Sequence, residues 1–351
     1  MSVITVLGEI NEEDLGPTLM HEHILVDFRC AFLPPEETSW KRRAYEKICL
    51  ENLGWIRYNP RSNLDNLLLD DEEVAIKEVL EFKAFGGGTI VDVTTVGIGR
   101  DPIALRRISV LTGVNIVMGA GLYMGAGFYT AEDYPREVRE KSEEQIAKTI
   151  IEEIREGVGS TGVRAGIIGE LGCSYPLHEN EKKVLRAAVT AQEETGASIS
   201  IHPGRDENSP FEILDVLKDA GADLSRVIMG HVDRTIFSEE HLRDLGKIGC
   251  FIQYDMFGLE TSYYAFNPAV YMRNDEQRMQ EIRQLIKWGY GDQIVISHDI
   301  CMKMRLKKYG GHGYSHILEN IVPRMRMRGF SEEEIRKILI ENPKRALSIS
   351  Q

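Results

Sequence analysis

No stretch of this chain approaches the ~18 consecutive apolar residues that a membrane-spanning helix requires, so no span is expected. Positive charge is in short supply as well. Lys and Arg number 42 against 55 Asp and Glu, for a net charge of −13 and an isoelectric point near 5.3. Nucleic-acid partners need a basic face to neutralise phosphates, and this balance argues against one. It leaves a small-molecule substrate open, because one or two cations decide the charge of a pocket. Cysteine is sparse: Cys30, Cys49, Cys173, Cys250 and Cys301 are odd in number, widely spaced and never form Cys-x-x-Cys. Reduced thiols in a cytoplasmic protein are the simplest reading. The opening residues also lack the basic start and apolar run of a secretory signal. With no low-complexity tract and no Pro/Ser-rich linker, residues 1–351 read as one domain.

What the chain does have is a slow alternation. Short β-rich runs fall at 17–23, 88–94, 115–122, 164–170, 197–202, 226–231, 250–255 and 294–299. Several are nearly continuous apolar runs, as strands buried on both faces of a parallel sheet should be. Amphipathic stretches separate them, among them 71–85, 142–156 and 181–195. A further helix is capped by Ser331 ahead of three glutamates and is expected to stop at Asn342-Pro343. Eight strands with helices between them predict an α/β fold, a (β/α)8 TIM barrel, and 351 residues with 42% apolar content suffice for its core. Residues 24–70 are long for one strand-to-helix connection and read as an insertion near the mouth.

In such a barrel the reacting groups sit at the C-terminal ends of strands. The first candidate strand ends His21-Glu22-His23. Residues i and i+2 of a strand share a face, so both imidazoles should point into the barrel and Glu22 away from it. The fourth candidate ends at Glu170, the fifth at His202, the sixth at His231 and the eighth at Asp299. Taken singly, each has an ordinary reading: a hydrogen-bonded histidine, or a carboxylate capping the next helix. Together they bring four of the nine histidines and two carboxylates to the same end of successive strands. Those nitrogen and oxygen donors suit Zn²⁺ or a similar divalent ion. His178 and His241 fall at helix starts, and His298 should face the other side of its strand. His312, in the glycine-rich run Gly310-Gly311-His312-Gly313-Tyr314, is placed to reach a substrate.

At this point the pattern resembles a known family. Gly16-Pro17-Thr18-Leu19-Met20-His21-Glu22-His23 is similar to the opening motif of the phosphotriesterase family of the amidohydrolase superfamily. The likeness continues through Val91-Asp92-Val93-Thr94, Gly119-Ala120-Gly121-Leu122-Tyr123, Gly166-Ile167-Ile168-Gly169-Glu170, His202-Pro203-Gly204-Arg205, Gly230-His231-Val232-Asp233 and Ser297-His298-Asp299. It implies a binuclear centre with two divalent ions per subunit, usually zinc. By position, His21, His23 and Asp299 fall to the more buried ion, His202 and His231 to the more exposed one, and Glu170 to the bridge between them. Many members bridge with a carboxylated lysine. Here the position reads Gly169-Glu170 with no lysine nearby, which resembles the phosphotriesterase-related branch, where a glutamate bridges.

That branch implies hydrolysis of a carboxylic amide, with N-acetyltaurine and related N-acyl taurines as the substrate class. A hydroxide shared by the two ions attacks, and Asp299 also carries the proton. A lactonase with weak phosphotriesterase activity is the alternative. Tyr123 matches a tyrosine that lies by the metals in the lactonase branch; it either orients the substrate oxygen or packs at the mouth. Arg205 and Arg234, each three residues past a ligand histidine, either stand at the rim to bind a sulfonate or carboxylate or pair with Asp206 and Asp233. The family also implies a homodimer, and Tyr263-Tyr264-Ala265-Phe266 reads as an interface or a pocket wall. A glutamate bridge needs no CO₂-modified side chain. Metal-free protein reconstituted with zinc should therefore recover full activity without bicarbonate; a strict bicarbonate requirement, seen in paired reconstitutions, would refute this.

Overall fold

The structure, a computed structural model, describes residues 1–122 and 136–349. Eight parallel strands make one sheet in sequence order: β1 (Thr18–Glu22), β2 (Thr89–Asp92), β3 (Asn115–Ala120), β4 (Ile167–Gly172), β5 (Ile199–His202), β6 (Val227–Met229), β7 (Phe251–Tyr254) and β8 (Ile294–Ile296). Most crossovers carry helices, including α1 (Glu72–Ala84), α2 (Pro102–Thr112), α3 (Glu143–Arg155), α4 (Glu179–Thr195), α5 (Ser209–Asp219), α6 (Glu239–Ile248) and α7 (Asp275–Lys287). The sheet curls until β8 meets β1. No regular ladder joins these two; the Asp299 N–H donates to the His21 carbonyl at 3.1 Å, and the His21 N–H donates to Ser297 Oγ at 3.0 Å. The fold is thus an eight-stranded barrel with an outer layer of helices.

The strands are apolar on both faces because both faces are covered. Met20, Val91, Val117, Ile167, Ile228, Phe251 and Val295 point inward and pack on one another, and Val3, Leu15 and Leu347 plug them from below. Their chain neighbours Leu19, Ile90, Ile116, Met118, Ile168, Ile252 and Ile296 face the helices instead. The helices follow local rules. Asp71 caps α1 by accepting from the Glu73 and Val74 N–H groups, a contact that contributes about 1 kcal/mol. Ser142 closes a capping box on α3, and the His178 imidazole caps α4. No helix among the described residues is long and apolar enough to cross a membrane.

One expected boundary is wrong. The last helix does not stop at Asn342-Pro343; Asn342–Leu347 is helical. The turn before it, Lys337–Glu341, is a wider π-turn, and that slack lets the chain carry the Pro343 ring past the preceding turn. Asn342 is held in the helical region by its own side chain, whose Nδ2 donates to the carbonyls of Ile294 at 2.7 Å and Gly291 at 2.9 Å.

Two register slips aim the side chains at the barrel mouth. The pairing of β1 with β2 shifts between Leu19 and Glu22, and that of β4 with β5 shifts between Ile168 and Leu171. A bulge adds one residue and re-aims the side chains beyond it. In β4, Ile167 faces in and Ile168 out; past the slip Glu170 faces in and Leu171 out. Gly169 is the pivot. Its φ is +106°, and a Cβ there would lie 2.3 Å from the Ser200 carbonyl oxygen, so only glycine fits.

Residues 24–70 leave β1 at the mouth. They include a short antiparallel pair, Val26–Asp27 with Leu68–Leu69, and the helix Leu50–Tyr58. The end of that helix brings Arg57 and Tyr58 to a cavity above the strand ends.

Candidate metal centre

Six side chains from five strands meet inside the barrel mouth. Glu170 stands between the others. Its Oε1 lies 3.2 Å from His23 Nε2, and its Oε2 lies 3.3 Å from His21 Nε2, 2.9 Å from His202 Nδ1 and 3.5 Å from His231 Nε2. Asp299 Oδ1 lies 3.3 Å from His23 Nε2 and 3.7 Å from His21 Nε2. The nitrogens His202 Nδ1 and His231 Nε2 are 2.8 Å apart, both aimed at the same place. Two sets have ligand atoms close enough to share one ion: His21, His23 and Asp299, and His21, Glu170 and His231.

The donor set fits divalent metal. All six side chains are buried, and His21 Nε2 has no hydrogen-bond partner among the described residues although carboxylate oxygens surround it. A buried polar atom left that way is costly unless something binds it. The far nitrogens of the same rings are tied down. His21 Nδ1 donates to Gln253 Oε1 at 3.2 Å, His23 Nδ1 to Thr94 Oγ1 at 2.9 Å, and His231 Nδ1 to Asp255 Oδ1 at 2.7 Å. These bonds hold the rings and turn the Nε2 atoms toward the centre, as partners of metal-binding histidines do. Sequence reasoning missed Gln253, Asp255 and Thr94. The signal for the first two was the Gln-x-Asp spacing at the end of β7, which puts both on one face.

The charges are coupled. Burial disfavours a protonated His21, but Glu170, Asp255 and Asp299 outweigh it and raise its pKa to about 9. His23, buried likewise, is pushed up to about 10 by Asp299 and Glu170. Burial favours the neutral form of Glu170, yet His21 and His202 hold it well below the usual carboxylate range. His202 goes the other way: burial and the adjacent His231 keep it neutral. Two of the candidate ligands sit on strained backbone, His231 and Asp299, both with φ of 52°. Left-handed geometry costs a non-glycine residue about 1–2 kcal/mol, so these positions are held against their own preference.

A cavity of about 630 Å³ opens over this centre, with His202 and Asp299 in its lining. Arg205 also lines it; its Nε donates to the Tyr264 hydroxyl at 3.2 Å, and its guanidinium lies 5.1 Å from the centre of the Phe266 ring. Tyr263, Tyr264, Ala265 and Phe266 form part of the wall. Arg234 borders the cavity too, but its guanidinium is held by backbone. It is 1% exposed and lies beneath the turn after β5, where its guanidinium donates to the Pro203 and Gly204 carbonyls at 3.0 and 3.2 Å. Asp233, its expected partner, pairs with Arg278 instead at 2.6 Å. His312 lines the cavity and stacks on His298 with ring centres 5.4 Å apart. His298 itself faces away from the centre and donates from Nδ1 to Glu22 at 2.7 Å. Tyr123 lies outside the described residues.

Comparison with known proteins agrees with this geometry. An N-acetyltaurine hydrolase of Xenopus tropicalis is 48% identical over 347 residues, covering 99% of this chain and 97% of its own. A phosphotriesterase-related protein of Nematostella vectensis is 47% identical and covers 97% of this chain and 96% of its own. Among solved structures, a resiniferatoxin-binding protein of Rhodobacter sphaeroides superposes with a TM-score of 0.93 at 37% identity, covering 99% of this chain and 95% of its own. Residues 1–347 match the profile of the phosphotriesterase family, and the chain belongs to that family.

Proposed function

We propose that this chain is an amidohydrolase that cleaves N-acyl amides carrying an anionic group on the amine side, with N-acetyltaurine as the first candidate substrate. The observation that carries the reading is the carboxylate of Glu170 set among four imidazoles beneath a substrate-sized cavity. The name of the Xenopus relative, near-identical in length and 48% identical, supports the choice of amide.

His21, His23 and Asp299 would hold one divalent ion and His202 and His231 the other, with Glu170 between them. An imidazole and carboxylate set without thiolate suits Zn²⁺, and zinc is the proposed metal. Such a pair supplies Lewis-acid polarisation of the amide carbonyl and a lowered pKa for water. The chain's own groups do the rest. Asp299, on the cavity floor, takes the proton from the attacking water and returns it to the leaving nitrogen. Arg205 binds the sulfonate or carboxylate at the far end of the substrate; its planar guanidinium, stacked on Phe266, is pre-set for such a group. The apolar wall from Tyr263 to Phe266 keeps bulk water from the reacting carbonyl. Asp255 holds the His231 ring in place.

A panel of N-acetyltaurine, a δ-lactone and paraoxon, compared by kcat/KM on zinc-loaded protein, should give the amide the highest value. A lactone turned over faster than the amide would replace this reading with the lactonase one. Arg205→Ala should raise KM for N-acetyltaurine far more than for a neutral ester of similar size, and equal effects on both would remove Arg205 from anion binding. Asp255→Asn should weaken metal binding by about 10–100-fold, as read by chelator competition.

A further inference from the structure

Two features stand out in the sequence without a place in the chemistry above: the middle residue of His21-Glu22-His23, and the glycine-rich run from Gly310 to Gly313. Both converge on the backbone around Asp299. The Glu22 carboxylate is fully buried. It accepts from Ser297 Oγ at 2.8 Å, from the His298 N–H at 2.8 Å and from the Ile300 N–H at 2.9 Å. Arg305, also buried, approaches from the other side. One of its terminal nitrogens donates to the Asp299 carbonyl and the other to the His298 carbonyl. The Asp299 N–H goes to His21. Every backbone polar group from the His298 N–H to the Ile300 N–H is therefore bonded, most of them to one acid or one guanidinium.

The glycine-rich run seats that guanidinium. A Cβ on Gly311 would lie 2.1 Å from the Arg305 carbonyl carbon, so the run can fold back on Arg305 only with glycine there. The Gly313 N–H closes the turn on the Arg305 carbonyl at 2.9 Å. His312 then receives the Arg305 Nε–H on its Nε2 at 3.4 Å. A forked guanidinium spans two adjacent carbonyls in one plane; an ammonium cannot.

We infer that Arg305 and Glu22 are positioning residues for Asp299: they clamp residues 298–300 from opposite sides and set where the Asp299 carboxylate points. The inference rests on the proposed role of Asp299 as a metal ligand and proton carrier. Neither residue has to touch the substrate for this.

The test uses the full-length protein loaded with Co²⁺, whose visible absorption reports ligand geometry, together with chelator competition for affinity. Arg305→Met keeps the bulk and removes the fork. It should alter the cobalt spectrum, weaken metal binding by about 10–100-fold and lower kcat on N-acetyltaurine with KM nearly unchanged. Arg305→Lys keeps the charge and one donor, and should fall between Met and the parent protein. A parent-like spectrum and parent-like affinity in both variants would overturn the inference, even if thermal stability fell. If Arg305→Met does not fold, the same readouts on Arg305→Lys decide. Failure of the parent protein to bind cobalt at all would instead overturn the metal reading of the site.

Discussion

The barrel closes through a side chain. Seven neighbouring pairs of strands are joined by parallel ladders, two of them with a slip, but at the junction of β8 with β1 the Glu22 carboxylate collects two backbone N–H groups, a hydroxyl and an imidazole. A buried carboxylate without partners would cost several kcal/mol; with this many donors it becomes a rigid joint. The strand carrying His21 and His23 and the segment carrying Asp299 meet there. The relative placement of three donors thus depends on one acid that faces away from all of them.

Inside the joint, the site is a concentration of buried charge. Glu170, Asp255 and Asp299 share a few ångströms with four imidazoles, and the pKa of three of those rings climbs in response. Burying such groups is unfavourable unless geometry and hydrogen bonds are nearly complete. They are nearly complete: Gln253, Thr94 and Asp255 hold the outer ring nitrogens, and the strained backbone at His231 and Asp299 is pinned by Asp255 and Arg305. Stability is given up locally so that donors point at one place, and the apolar layer packed inside the barrel below supports the arrangement.

Much of this was legible in the chain. The order of the strands follows from apolar runs separated by amphipathic ones, and His202, His231 and Asp299 show themselves because a barrel gathers strand ends. The His21–His23 pair follows from simple alternation. What alternation does not reveal is the slip between Leu19 and Glu22, which lets Met20 and His21 both turn inward. The slip at Gly169 is equally silent, since one glycine among many carries no mark of its φ. Gln253 and Asp255 act on rings from other strands, and local sequence does not encode a partner over 20 residues away. Arg234 borders the cavity, as a residue past a strand end can, but local sequence does not show that the carbonyls of the Pro203-Gly204 turn hold its guanidinium. At Asn342-Pro343 the local rule gave way to a wider turn and an anchored asparagine.

The walls and the floor of the cavity come from different kinds of structure. Every donor atom of the floor lies on a barrel strand or within three residues of its end, whereas Tyr58, Tyr263, Phe266 and Arg205 belong to the excursions between strands. The walls and the candidate ligands are thus carried by separate stretches of chain. Lineages that share this barrel are therefore free to drift from one class of scissile bond or leaving group to another, by lengthening or rewriting loops, while the hydrolytic machinery beneath them is inherited whole.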